Sequence, residues 1–136
     1  MFLVDTSVWI HALRPRGNSA IQSRLRTLVV SDQTAVTEWI LLELMTGLSR
    51  AEHGKDLQDR FSAVTRIPFQ PEWWAKAWEL AAGLRKHGVS PSATDCLIAT
   101  AALESSVPLI HCDEDFEAIR RHSKLQTLDW TAHLKT

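Results

Sequence analysis

Phe2-Leu3-Val4-Asp5-Thr6-Ser7 is the stretch that decides how this chain folds. Three apolar residues in succession, without alternation, read as a short strand buried on both faces. The next three side chains can each cap a helix, so a helix is expected at once, from Ser7 to about Leu13. Arg14-Pro15-Arg16-Gly17 ends it. Asn18 or Ser19 caps a second helix, with Ile21, Leu25 and Leu28 at helical spacing. Thr34-Ala35-Val36 reads as a second strand, and Glu38 to Leu48 as a strongly apolar helix. Ala51 to Val64 is amphipathic, with Gly54 weakening its first turn. Arg66-Ile67-Pro68-Phe69 is extended, and Pro68 places it at a sheet edge. Pro71 opens a long helix that stops at Gly88, and Ser92 starts another that runs to about Ser105. Pro108-Leu109-Ile110-His111 is a third buried strand. A helix from Asp113 to His122 and a strand from Leu125 to Leu128 follow. The alternation of strands and helices predicts an α/β fold: a mainly parallel sheet of four to five short strands, covered by helices on both faces, in one domain over residues 1–136. Ligands of such sheets sit beyond the carboxyl ends of the strands.

Composition narrows the function. The 136 residues are 45% hydrophobic, enough to bury a core. The net charge of −1 gives no global basic field, so a bound polyanion would be held by a local basic patch or by metal ions. Two cysteines, no signal peptide and no apolar run long enough to span a membrane point to a reducing cytoplasm.

Four acids stand out by position. Asp5 follows an apolar strand directly, and Asp113 follows the strand Leu109-Ile110-His111. Asp95 begins an almost uncharged helix, Cys96-Leu97-Ile98-Ala99-Thr100-Ala101-Ala102. Glu43 interrupts Trp39-Ile40-Leu41-Leu42-Glu43-Leu44-Met45, which reads as buried on most faces. Each has an ordinary explanation: a helix cap for Asp5, a Ser92-x-x-Asp95 capping box, a dipole-compensating first turn for Asp113 to Asp115, an exposed stripe shared with Thr46 and Gly47 for Glu43. Thr6 and Ser7 can cap in place of Asp5. Taken together, three acids fall where the inferred sheet gathers its ligand. Crowded carboxylates repel, and a divalent cation offsets that repulsion. Hard oxygen donors without zinc-spaced His or Cys fit Mg²⁺ or Mn²⁺.

Four segments then carry a family likeness: Val4-Asp5-Thr6-Ser7-Val8-Trp9-Ile10; Val36-Thr37-Glu38 leading to Leu42-Glu43-Leu44 and Gly47; Ser92-Ala93-Thr94-Asp95-Cys96-Leu97-Ile98-Ala99; and His111-Cys112-Asp113-Glu114-Asp115-Phe116. Over essentially its whole length the chain resembles the PIN-domain family, and within it the VapC-type toxins of toxin–antitoxin pairs. The resemblance implies a metal-dependent endoribonuclease using one or two Mg²⁺ or Mn²⁺ ions. It implies an acidic quartet of Asp5, Glu43, Asp95 and Asp113, with Asp115 as a further metal ligand that competes with Asp113 for the fourth place. Thr6 or Ser7 matches the hydroxyl that supports the first aspartate. Glu43 is expected to bind metal through water or to orient the attacking water. An RNA substrate, a cognate antitoxin covering the acidic pocket and a homodimer are implied in the same way.

Other features fit around this core. Arg14, Arg16, Arg24, Arg26, Arg85-Lys86 and Arg120-Arg121 read mainly as solvated charge, with RNA contact as the functional alternative. Trp74 and Trp78, four apart, are expected in the core. Trp73 points elsewhere, towards a partner surface. His111 and Cys112 read as buried strand-end residues. A haloacid-dehalogenase-like phosphatase needs a second Asp where Ser7 stands. A phospho-acceptor receiver domain needs paired acids near the first strand and a lysine after the last, but Asp5 has no acidic neighbour and Lys124 precedes that strand. A PIN-like fold kept only for binding RNA is the remaining non-enzymatic alternative, and the intact acid set argues against it.

Overall fold

The structure, a computed structural model, describes residues 1–47 and 53–135. Its order is β1 (Phe2–Val4), α1 (Thr6–Leu13), α2 (Ser19–Val30), β2 (Thr34–Val36), α3 (Glu38–Thr46), α4 (His53–Phe61), β3 (Thr65–Arg66), α5 (Trp73–Lys86), α6 (Ala93–Ser105), β4 (Leu109–His111), α7 (Glu114–Arg121) and β5 (Thr127–Asp129). A 3₁₀ turn over Thr131–Lys135 closes the described chain. The five strands form one sheet in the order β3-β2-β1-β4-β5. Every pairing is parallel. Helices flank the sheet in the expected three-layer α/β/α arrangement. None of the described helices is long and apolar enough to cross a membrane.

The continuous apolar strands are central because they alone can be covered on both faces. Leu3, Val4, Ala35, Val36, Leu109 and Ile110 are fully buried. β3, with both residues exposed, takes an edge, and Pro68 lies just beyond it. In α6, Cys96 to Ala102 are all buried. Small side chains on several faces let neighbours approach closely, and α5 packs along it.

The strand order fixes where a ligand can enter. From β1 the chain moves outward through β2 to β3, then crosses back to β4 on the other side of β1 and on to β5. The direction therefore reverses between β1 and β4, and the helices after those two strands diverge there to leave a crevice. Val4 pairs with Ile110 at this seam, and the Asp5 N–H donates to the Ile110 carbonyl at 2.9 Å.

Several expectations are corrected. The α3 helix is not buried nearly all round: Ile40, Leu41 and Leu44 face the core, while Leu42 and Glu43 are exposed. That is the amphipathic solution, with Glu43 on the exposed stripe beside Thr46 and Gly47. Trp74 and Trp78 are 43% and 68% exposed. Ala77 and Leu84 make the buried stripe of α5, and it is Trp73 that packs on the core, edge-to-face with Phe69. The long helix begins at Trp73 rather than Pro71, and the last strand lies at Thr127–Asp129 rather than Leu125–Leu128. The helix expected from Ala51 to Val64 is α4, His53–Phe61. Leu48, Ala51 and the join between α3 and α4 lie outside the described residues.

Candidate metal centre

The carboxyl ends of β1 and β4 each deliver an aspartate to the crevice. Asp5 follows β1, is buried, and caps α1 after all: its Oδ2 accepts the Ser7 N–H at 3.0 Å and the Ser7 hydroxyl at 2.7 Å. One oxygen serves as cap, and a carboxylate has lone pairs to spare on the other. The Ser7 Oγ in turn accepts the Cys112 N–H at 2.9 Å, tying the end of β1 to the end of β4. Thr6 does a separate task, donating its hydroxyl to Glu43 Oε1 at 2.9 Å. Ser7 is thus the hydroxyl that supports Asp5, and Thr6 the one that reaches Glu43.

Asp113 follows β4 and caps α7, accepting the Asp115 N–H at 2.9 Å. Asp95 enters from the first turn of α6, where the Ser92 hydroxyl accepts the Asp95 N–H at 3.1 Å. Asp95, Asp113 and Asp115 can each present one carboxylate oxygen within 4.8 Å of the others. Asp113 and Asp115 therefore both lie in reach of one ion. Asp113 is the more central, because its charge bears on Asp5 as well as on Asp95.

Electrostatics marks the same place. Burial pushes the Asp5 carboxyl above its ordinary range against the pull of Ser7, and the Asp113 charge adds to the rise. Partial desolvation of its carboxyl, on an otherwise exposed residue, likewise raises Glu43, with Thr6 opposing and Asp5 adding. Asp95 is pushed up to about 6 by burial and by the charges of Asp5, Asp113 and Asp115. Among the described residues no ion pair reaches any of these acids. A site that raises its own carboxylates and supplies no cation fits a divalent ion, and the all-oxygen donor set suits Mg²⁺ or Mn²⁺.

A cavity of about 480 Å³ adjoins Glu43, lined in part by Ile10, Leu13, Arg14, Leu44 and Arg60. Arg14 borders it as an exposed cation, while Arg60 pairs with Asp56 at 3.2 Å. Arg16, Arg24, Arg26, Arg85, Lys86 and Arg121 are exposed too, and Arg120 is bound to Glu117.

Residues 2–122 match the model of the PIN domain, a span that contains all five acids. The chain belongs to the PIN-domain family. Among PIN relatives, a Mycobacterium tuberculosis protein named Ribonuclease VapC18 is 30% identical over 123 residues, covering 88% of this chain and 87% of its own length. One named Ribonuclease VapC11, from the same species, is 27% identical over 129 residues, covering 93% and 96%. The PIN architecture recurs in VapBC2 of Rickettsia felis, solved bound to a promoter DNA fragment: the TM-score is 0.79 at 20% identity, over 95% of this chain and 98% of that one. Mycobacterium tuberculosis VapC20, described as a toxin that cleaves the sarcin–ricin loop, matches with a TM-score of 0.63 at 21% identity, over 87% and 94%. At these identities the structural likeness concerns the fold. PIN membership sets aside the receiver-like alternative.

Sequence reasoning passed over a second polar cluster beside the first. His111 is fully buried, and its Nε2 lies 2.8 Å from Glu117 Oε2. The Thr127 hydroxyl donates to the same oxygen at 2.6 Å, and Arg120 Nε donates to Oε1 at 2.7 Å. Burial pushes Glu117 up, but these three donors outweigh it and hold the carboxyl down at about 2. The available signal was a histidine closing an apolar strand, since a buried imidazole needs a partner.

Proposed function

We propose that this PIN domain, spanning residues 1–136, is a divalent-cation-dependent endoribonuclease, the toxin of a toxin–antitoxin pair, working in the cytoplasm. The observation that carries the reading is the convergence of Asp95, Asp113 and Asp115 beside Asp5, at the strand-order reversal, with no ion pair to them among the described residues. The relatives named as ribonucleases support the choice of RNA.

In this reading Asp5, Asp95 and Asp113 hold Mg²⁺ or Mn²⁺, with Asp115 as a further ligand. When bound, such an ion acidifies water and neutralises charge building on a phosphodiester under in-line attack. Ser7 fixes the Asp5 carboxylate by two hydrogen bonds to one oxygen, so the group needs no reorganisation to serve as a ligand. Glu43, held by Thr6, orients the attacking water. Its raised proton affinity makes it a better proton acceptor than an ordinary glutamate. Arg14, at the mouth of the adjoining cavity, engages a phosphate of the RNA. The partners are the RNA, a cognate antitoxin whose segment covers the acidic crevice, and a second copy of the chain. The exposed Trp74 and Trp78 offer the aromatic surface that partner contacts favour, the place first assigned to Trp73.

The test is cleavage of RNA by the purified protein with Mg²⁺ or Mn²⁺. Activity should vanish in chelator and in Asp5→Asn and Asp95→Asn, while circular dichroism shows the fold intact. Full activity in both variants would overturn the metal assignment.

A further inference from the structure

We infer that His111 and Glu117 are positioning residues for the metal centre, acting through the backbone of the turn between β4 and α7. The inference rests on the metal reading above for its consequence, not for its geometry. Three amides in that turn are held. The Cys112 N–H goes to Ser7 Oγ at 2.9 Å, the Asp113 N–H to His111 Nδ1 at 3.1 Å, and the Asp115 N–H to Asp113 Oδ1 at 2.9 Å. The middle one depends on the state of a ring. Nδ1 can accept an N–H only if it carries no proton, so the proton of the neutral imidazole must sit on Nε2. Glu117 enforces that tautomer by accepting from Nε2 at 2.8 Å. Thr127 from β5 and Arg120 from the next turn of α7 hold Glu117 in place.

The chain of contacts therefore runs from β5 and α7 through a fully buried ring to the amide of the aspartate that closes the crevice. Neither His111 nor Glu117 needs to touch an ion or RNA. Their effect is to set the direction in which Asp113 leaves β4, and with it the approach of Asp113 and Asp115 to Asp95. Partners of this kind behind metal ligands typically carry about 10- to 100-fold in metal affinity.

Two isosteric substitutions separate positioning from simple packing. Asn at 111 places an amide oxygen near the Nδ1 position and keeps an acceptor for the Asp113 N–H, but loses the link to Glu117. Gln at 111 reaches the Nε2 position and keeps that link, but loses the acceptor. Amide hydrogen exchange at Asp113 in the metal-free protein is the first readout, and Mn²⁺ titration by electron paramagnetic resonance the second. His111→Gln should speed Asp113 exchange about tenfold or more and weaken Mn²⁺ by a similar factor. His111→Asn should stay within a few-fold of the parent in both. Equal exchange at Asp113 in the two variants, or Asn as the worse, would overturn the inference. Should His111→Gln not fold, Glu117→Ala leaves the ring and strips its partner: faster exchange at Asp113 supports the inference and unchanged exchange overturns it. A parent protein that takes up no Mn²⁺ refutes the metal reading alone, because the exchange data decide the positioning role without metal.

Discussion

Two acid-bearing clusters stand side by side at the end of β4, and they have opposite electrostatic histories. Around Glu117, three donors converge on one carboxylate and hold it at about 2 despite burial. Around Asp95, burial and three neighbouring acids push the carboxylate up to about 6 against the pull of Ser92. The residue chemistry is the same; the supply of donors differs. A structural acid is recognised by its satisfied lone pairs, and a candidate ligand by oxygens that the fold buries and leaves to repel one another.

The hardest way to break this contrast is Asp95→Asn. Cleavage should fall on the order of 10³-fold, the scale of losing one preorganised electrostatic group. The metal-free protein should at the same time melt at a higher temperature, because a repelled charge has gone. A lower melting temperature would place Asp95 with the structural acids. Glu117→Ala should do the reverse to stability. It leaves a buried ring and a hydroxyl without their acceptor, at a cost of about 2 kcal/mol by denaturant unfolding. A loss under about 0.5 kcal/mol would mean an ordinary surface carboxylate.

Proton titration sharpens the contrast. Asp95 has a folded-state pKa above its unfolded one, so its contribution to stability is fully present below pH 3.8 and is lost as pH rises through about 6. Glu117 stays ionised over that window. The chelated protein should therefore melt higher at pH 5 than at pH 7.5. With saturating Mn²⁺ the order should invert, since protons then compete with the ion. The same order with and without Mn²⁺ would break the assignment. The smallest effect belongs to Thr6→Val, which removes the hydroxyl on Glu43. It should lower kcat about fivefold with little change in KM, the loss of roughly 1 kcal/mol of hydrogen bonding.

Much of the fold was legible because β1 and β4 are built on apolar runs with no alternation, which only a doubly covered sheet can use. Asp5 and Asp113 were legible for the same reason: they stand just past the ends of such runs. Asp95 was legible from the uncharged helix behind it. The failures have a common cause, which is that side chains choose faces only when a neighbour exists. Leu42 and Trp78 are apolar yet exposed, because α3 and α5 bury other stripes. Spacing by four predicted that Trp74 and Trp78 share a face and could not say that Ala77 and Leu84 take the core. The tie between His111 and Glu117 depends on Thr127 arriving from β5, and no local pattern announces it.

The Ser7–Cys112 bond joins residues 105 positions apart. Asp5 is made well before β4, the strand that completes its crevice. Contacts of such long range form late in folding, after the loop-closure entropy has been met. A chain truncated before β4 thus holds Asp5 with no Asp113 opposite it, and the acidic crevice comes into being only once β4 has joined the sheet.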